Sequence, residues 1–331
     1  MLRYVLRRLL IMIPTLVAVS VVAFVIIQLP PGDFVTSYVA SLQTQGEAPD
    51  ASQIAALNAQ YGMNQPIYYQ YGLWISNILL HGNFGQSFEW NQPVARLLAQ
   101  RIPFTLLLGS SALLFTWAIS LPVGVLSAAR KYSIADNAFT LISFVGLGVP
   151  NFLLALALGY LAFKFFHQSV GGLFSPAFED ARWNLGKVLD LLAHLWLPVV
   201  VIAAQGTAGI IRILRANLLD ELNKPYVTTA RSKGLSEIRV LLKYPLRVAL
   251  NPFVSTIGWT LPALLNGEVI ISQVLGLQTT GQLLLGALQD QDMYLAGSII
   301  LVLSTLTVTG TLISDLLLAV VDPRVRMANA Y

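Results

Sequence analysis

Few side chains in this sequence are placed where they could do chemistry. Within its long apolar segments there are only two carboxylic acids, Glu268 in PALLNGEVIIS and Asp315 in TLISDLLLAV. A charge at the centre of a bilayer costs about 2.5–3.5 kcal/mol on insertion scales, so each must face protein or water. Glu268, with Asn266 and Trp259 near it in the same segment, reads as lining a passage through the membrane. The alternative for Glu268 is a hydrogen-bonded carboxyl between helices. Asp315 reads as a helix–helix hydrogen bond near the cytoplasmic end. Two acids on separate segments make no proton relay, which an ion-driven carrier would need.

Other reactive groupings are missing. The chain has no cysteine, which excludes disulfides and thiolate sites. His81, His167 and His194 are far apart and read as satisfied or exposed. Lys187 follows Gly186, but Val188 stands where a phosphate-binding loop needs Ser or Thr, and no glycine occupies the required earlier position. The chain therefore carries no nucleotide-hydrolysing motif of that kind and no catalytic constellation.

The charges that remain cluster. Tyr226 to Pro245, YVTTARSKGLSEIRVLLKYP, is a polar island holding Arg231, Lys233, Arg239 and Lys243, flanked by Lys224 and Arg247. Asn223 is expected to cap a helix whose first turn holds Pro225, where a missing N–H is harmless. Gly234 suits the left-handed position past that helix, with Leu235 as the apolar residue after it. Ser236 is expected to cap a second helix, with Glu237 in its first turn. Two short helices joined at a glycine form a knob, read as a docking device for a soluble partner.

These groups must be positioned by membrane helices. Of 331 residues 56% are hydrophobic and 11% charged, with a mean hydropathy of +0.68; soluble domains carry about 25% charged residues. Six segments reach the roughly 20 apolar residues a span requires: about 9–29, 103–129, 137–166, 194–214, 249–275 and 295–321. The basic start MLRYVLRRLL leads into an apolar run longer than a signal core, read as a retained first span. With the N-terminus inside, fifteen of the twenty Lys and Arg residues fall on the cytoplasmic side, as the positive-inside rule demands. The prediction is an all-α polytopic protein, N-in and C-in. Arg212 and Arg215 end the fourth span and are expected to reach headgroups or a partner's acid. The outer region after span one carries a predicted short helix at 52–61 and an amphipathic helix, QPVARLLAQRI, expected to lie on the outer membrane face. No basic patch is interleaved with aromatics, so nucleic acid is not expected.

The chain resembles the permease subunits of dipeptide/oligopeptide-type ABC importers over nearly its whole length. RYVLRRLLIMIPTL and Leu29-Pro30-Pro31-Gly32-Asp33 are similar to that family's opening. Tyr61-Gly62-Met63-Asn64-Gln65-Pro66, Gly82-Asn83-Phe84-Gly85-Gln86-Ser87 and Arg101-Ile102-Pro103-Phe104-Thr105 follow its outer-loop pattern. Leu121-Pro122-Val123-Gly124-Val125, Val149-Pro150-Asn151-Phe152, Arg212-Ile213-Leu214-Arg215-Ala216 and Asp322-Pro323-Arg324-Val325-Arg326 complete the series. Each motif alone is weak; their order and spacing together are specific.

The resemblance implies a type I importer permease fold. Residues 1–30 would form an N-terminal transmembrane helix, 31–102 an extracytoplasmic region, and 103–331 the permease domain with its coupling loop at 223–245. It implies that Tyr226, Thr229, Ala230, Arg231, Lys233, Gly234 and Leu235 dock on an ATP-hydrolysing subunit. It further implies a second homologous permease, one or two ATP-binding subunits carrying ATP and Mg, an extracytoplasmic substrate-binding protein, and multi-pass residence in the inner membrane. No cofactor is expected in this chain itself. Pro225 stands where many relatives carry an acid, the stretch Gly276-Leu277-Gln278-Thr279-Thr280-Gly281 departs from their Pro-Gly-Leu-Gly, and Glu268 replaces a small apolar residue. These departures bear on cargo, for which peptides rank first, then oligosaccharides and nickel chelates. The competing reading is an ion-gradient carrier acting alone.

Overall fold

The structure is a computed structural model that describes residues 2–28, 65–87, 89–169, 171–255 and 269–321, together with single residues between 39 and 59. The described elements in chain order are α1 (Leu2–Gln28), α2 (Ile67–His81), β1 (Gln86–Ser87), β2 (Gln92–Pro93), α3 (Val94–Ala129), α4 (Ile134–Gly148), α5 (Asn151–Phe166), α6 (Leu185–Leu222), α7 (Pro225–Ser232), α8 (Glu237–Lys243), α9 (Pro245–Ser255), α10 (Thr280–Gln289) and α11 (Met293–Val321). The two strands pair antiparallel, Gln86 opposite Pro93.

Among the described residues four helices are long and apolar enough to cross a membrane: α1, α3, α6 and α11. The pair α4 and α5 passes the same test together but bends by 111° between its halves. The sequence treats 137–166 as one span; the break falls at Val149 and Pro150. Val149 is extended at φ −84°, ψ 124°, the region favoured for a residue preceding proline, because the proline ring disfavours the helical region there. Of the fifth expected span, 249–275, the part from 256 to 268 lies outside the described residues, as does most of the helix expected at 52–61.

The chain divides into two compact units. One comprises residues 1–8, 106–277 and 309–331. Its centre is α6, against which α4, α5 and α9 pack. Half of the apolar window of α6 is buried, against 22% for α1, so α6 is an interior helix and α1 presents most of its surface outward. Asn184 caps α6 by accepting from the Lys187 N–H at 2.8 Å. In the first turn of α6 Lys187 is buried yet satisfied: its Nζ donates to the Glu179 and Ala181 carbonyls and lies over the rings of Phe174 and Trp183. His194 is held between the Asp190 carbonyl (2.8 Å) and Ser169 Oγ (3.1 Å). In this unit Arg8 of α1 and Asp315 of α11 form an ion pair at 3.1 Å, so the carboxylate expected to bond between helices does so, with a cation as its partner.

The other unit comprises residues 9–105 and 278–308. Phe24, Tyr71 and Trp74 pack edge-on and tilted against one another in it, beside Ala23, Ile27, Tyr294 and Leu301. A Cβ placed on Gly297 would meet Ile27 Cδ1 at 2.7 Å and the Ala23 carbonyl oxygen at 3.1 Å, so α1 and α11 approach there to a distance only glycine allows. The segment QPVARLLAQRI corrects its expectation. It does not form a separate surface helix but begins α3, which runs unbroken from Val94 to Ala129. Its apolar face, Val94, Leu97 and Leu98, is buried against Leu283, Leu295 and Ile299, so protein, rather than headgroups, receives it.

Candidate functional site: a basic two-helix knob

The end of α6 determines where the knob sits. Leu214 and Leu218 are fully buried with Ala128 and Ala249, and Leu241 and Leu246 pack onto the same cluster. At Leu222 the helix stops. Asn223 closes it and turns its side-chain amide back to the Leu219 carbonyl at 3.0 Å. This corrects the capping expectation: Lys224, not Asn223, occupies the N-cap of α7, and no side chain caps that helix. The physical reason is Pro225, whose fixed φ and missing N–H suit the first helical position and so leave the cap to the residue before it.

Gly234 joins the two helices at φ +75°, donating its N–H to the Arg231 carbonyl at 2.9 Å. Beyond its two chain neighbours nothing lies within 4 Å of where its Cβ would be; the glycine is required by backbone conformation, not by crowding. Ser236 occupies the cap of α8 as expected, without the side-chain hydrogen bond.

The knob has a core of its own, in which Val227, Ala230 and Val240 are buried under Leu235 and Tyr244. The seven residues expected to dock therefore divide. Ala230 and Leu235 build the interior, while Tyr226, Thr229, Arg231, Lys233 and Gly234 are exposed. Thr229 Oγ1 donates to the Pro225 carbonyl at 3.0 Å. Arg231 pairs with Glu237 at 3.0 Å, both well exposed, a pair worth about 0–1 kcal/mol that neutralises one of the island's cations. Lys224, Lys233, Arg239, Lys243 and Arg247 remain as an exposed basic set.

Tyr226 ties the knob to α6. Its hydroxyl donates to the Glu221 carboxylate, and partial burial, aided by that carboxylate, pushes its pKa up to about 12. Lys224 N–H also donates to the Glu221 carbonyl at 3.1 Å. Two further residues escape the sequence reading: Ile238 and Leu242, 72% and 53% exposed, stand one turn apart on α8. The signal was present, since a seven-residue helix cannot bury Ile238, Val240, Leu241 and Leu242 on one face.

The membrane site stands differently. Trp259, Asn266 and Glu268 lie outside the described residues. Arg215 corrects its expectation: it does not leave for the headgroups but pairs with Asp136 of its own chain at 2.8 Å. Arg212 lies over the Phe144 ring at 5.3 Å.

With this geometry in place, comparison with known proteins is informative. Residues 120–327 match the model of the binding-protein-dependent transport system inner membrane component, and residues 1–109 match that of its N-terminal part. The oligopeptide transport system permease protein AppB of Bacillus subtilis (strain 168) is 35% identical over 97% of this chain and 98% of its own length. The dipeptide transport system permease protein DppB of Escherichia coli (strain K12) is 31% identical over 98% and 99%. The oligopeptide transport system permease protein OppB of Haemophilus influenzae is 32% identical over 98% and 100%. Among solved structures, a chain of the inward facing MetNI methionine ABC transporter superposes with a TM-score of 0.53 at 19% identity, covering 68% of this chain and 96% of that one, which shows the fold.

Proposed function

Because this chain belongs to the family of binding-protein-dependent transport system inner membrane components, we propose that it forms one half of the translocation path of an ATP-driven importer of peptides. The observation that carries this reading is the knob: a prebuilt pair of short helices, with its own core, anchored to the longest described helix and exposing Ile238, Leu242 and five cations on the side the basic residues assign to the cytoplasm. An apolar pair within a basic rim fits a partner groove with an apolar floor and acidic edges. The partners would be ATP-binding subunits, which hold the ATP and Mg that this chain has no motif to bind. A second permease would supply the other half of the path, and an extracytoplasmic binding protein would deliver cargo. Nucleotide-driven closure of the ATPases would displace the knobs and switch the path between outward and inward openings, a rigid-body change between two states.

Peptides are the cargo that the relatives' names support. Glu268, Asn266 and Trp259 are proposed to line the path. Two measurements test the reading. Ile238→Glu with Leu242→Glu should abolish co-purification of the ATP-binding subunits while the chain still inserts; full retention would overturn the docking assignment. In proteoliposomes, the assembled transporter with its binding protein should take up labelled di- or oligopeptides in an ATP-dependent manner. ATP-independent uptake by this chain alone, driven by an ion gradient, would overturn the importer reading.

A further inference from the structure

Asp136 is 1% exposed, and its carboxylate is saturated from three directions. Ser127 Oγ, near the end of α3, donates to Oδ1. The backbone N–H of Tyr132, in the turn between α3 and α4, donates to Oδ2 at 2.8 Å. Arg215 of α6 donates Nε to Oδ1 and Nη2 to Oδ2, both at 2.8 Å, a bidentate fork. The turn itself is held in an unfavourable shape, with Tyr132 at φ +62°, a conformation that costs a non-glycine residue something and persists only where surroundings enforce it. The carboxylate of Asp136 holds the Tyr132 N–H in this shape, and Ser133 completes the arrangement by accepting from the Asp136 N–H at 3.2 Å.

The position of this cluster along α6 matters more than its strength. Arg215 lies about two turns before Leu222, where α6 gives way to the knob. At the same level Leu214 and Leu218 pack with Ala128 of α3 and Leu241 of the knob. Apolar surfaces of this kind slide past one another by small shear movements. A bidentate guanidinium–carboxylate fork does not, because its two parallel hydrogen bonds fix both distance and orientation.

We propose that Asp136 and Arg215 are a positioning pair for energy coupling: they lock the α3–α4 turn to the knob-bearing end of α6, so that displacement of the knob is delivered to the bent α4–α5 segment. This rests on the docking reading above. Without the lock, the knob would still bind its ATPase and still move, but α6 would slip against α4 and hydrolysis would run ahead of transport.

The test uses the complete transporter in proteoliposomes and reads peptide delivered per ATP hydrolysed, normalised to assembled complex. Arg215→Lys keeps the charge but loses the fork, and Asp136→Asn keeps the shape but loses the ion pair. Each should lower the ratio at least about fivefold, the lower end of measured couplings between sites. The double variant Asp136→Asn/Arg215→Lys should fall no further than the more severe single variant. A wild-type ratio in assembled Arg215→Lys complex, with only yield or thermal stability reduced, would make the pair merely structural and overturn the proposal. Independent, multiplying losses in the double variant would also overturn it. Ile238→Glu/Leu242→Glu runs alongside: if that variant retains its ATPases, the docking reading fails and the coupling role fails with it. If it loses them while Arg215→Lys keeps a normal ratio, only the positioning pair fails.

Discussion

Gly234 permits a prediction in which conformation and contact can be separated. Its φ is +75°, and beyond its two chain neighbours no atom lies within 4 Å of the position a Cβ would take. A Cβ there therefore meets no tertiary neighbour; what it adds is the intrinsic difficulty of the left-handed region, about 1–2 kcal/mol for an ordinary residue and more for a β-branched one. Asn tolerates that region and should lose less than an ordinary residue. The knob has little stability to absorb the larger figure, because Val227 and Val240 are its only fully buried branched side chains, each worth about 1.5–3 kcal/mol before the entropy of ordering two helices is subtracted. A penalty of about 1–2 kcal/mol thus raises the misfolded fraction of the knob roughly 5- to 30-fold. The assay is substrate-stimulated ATPase activity of the purified transporter carrying Gly, Asn, Ala or Val at 234. The expected order is Gly, then Asn close behind, then Ala, with Val losing most of the stimulation while the chain inserts normally. Wild-type stimulation in Gly234→Val would refute the assignment of this turn. Equal losses for Asn and Val would refute the conformational argument and point to a partner atom seated on the glycine.

Three other outcomes are expected. Gly297→Val drives side-chain atoms into Ile27 and the Ala23 carbonyl and should destabilise the unit containing them by about 1–3 kcal/mol; a thermal midpoint within error of wild type would contradict the close approach of α1 and α11. Thr105→Val removes the acceptor of the buried Thr280 N–H (3.0 Å) and the partner of its hydroxyl (2.8 Å), an unsatisfied-donor penalty of about 1–3 kcal/mol, whereas Thr105→Ser should be nearly neutral in the same melt. Tyr226, with its pKa raised from 10.0 to about 12, contributes stability that is fully present below pH 10 and lost as pH rises through 12; in a phenolate absorbance titration Tyr226→Phe should delete a late-titrating tyrosine, and Glu221→Gln should move that titration to lower pH.

Much of the knob was readable in the linear sequence because its determinants are local. Pro225 starts a helix, Gly234 ends it, and the density of Lys and Arg marks the side of the membrane. The capping detail differs by one residue because Pro225 takes the first helical position, which leaves the cap to Lys224, while the amide of Asn223 donates back to the Leu219 carbonyl. What could not be read is pairing at long range. Arg215 and Asp136 are 79 residues apart, and nothing local distinguishes a buried fork from an arginine reaching for headgroups. QPVARLLAQRI has the periodicity of a surface helix, but periodicity specifies only that one face is covered; the covering surface came from Leu283, Leu295 and Ile299 near the other end of the chain. The bend between α4 and α5 was announced by Pro150, although a proline inside a membrane helix is often accommodated without one, as Pro198 is within α6.

Helix α6 runs for 38 residues without a break, about 57 Å at 1.5 Å per residue, nearly twice the roughly 30 Å thickness of the hydrocarbon core. Such an element acts as a lever whose fulcrum is set where it is most tightly gripped. A tilt of about 10° around its midpoint would swing each tip by about 5 Å, close to one helical turn. If an ATPase pulls at the knob, as proposed above, the distance it must pull would scale with the length of this one helix, and lengthening or breaking it would change the gearing of transport without altering any residue that touches cargo or nucleotide.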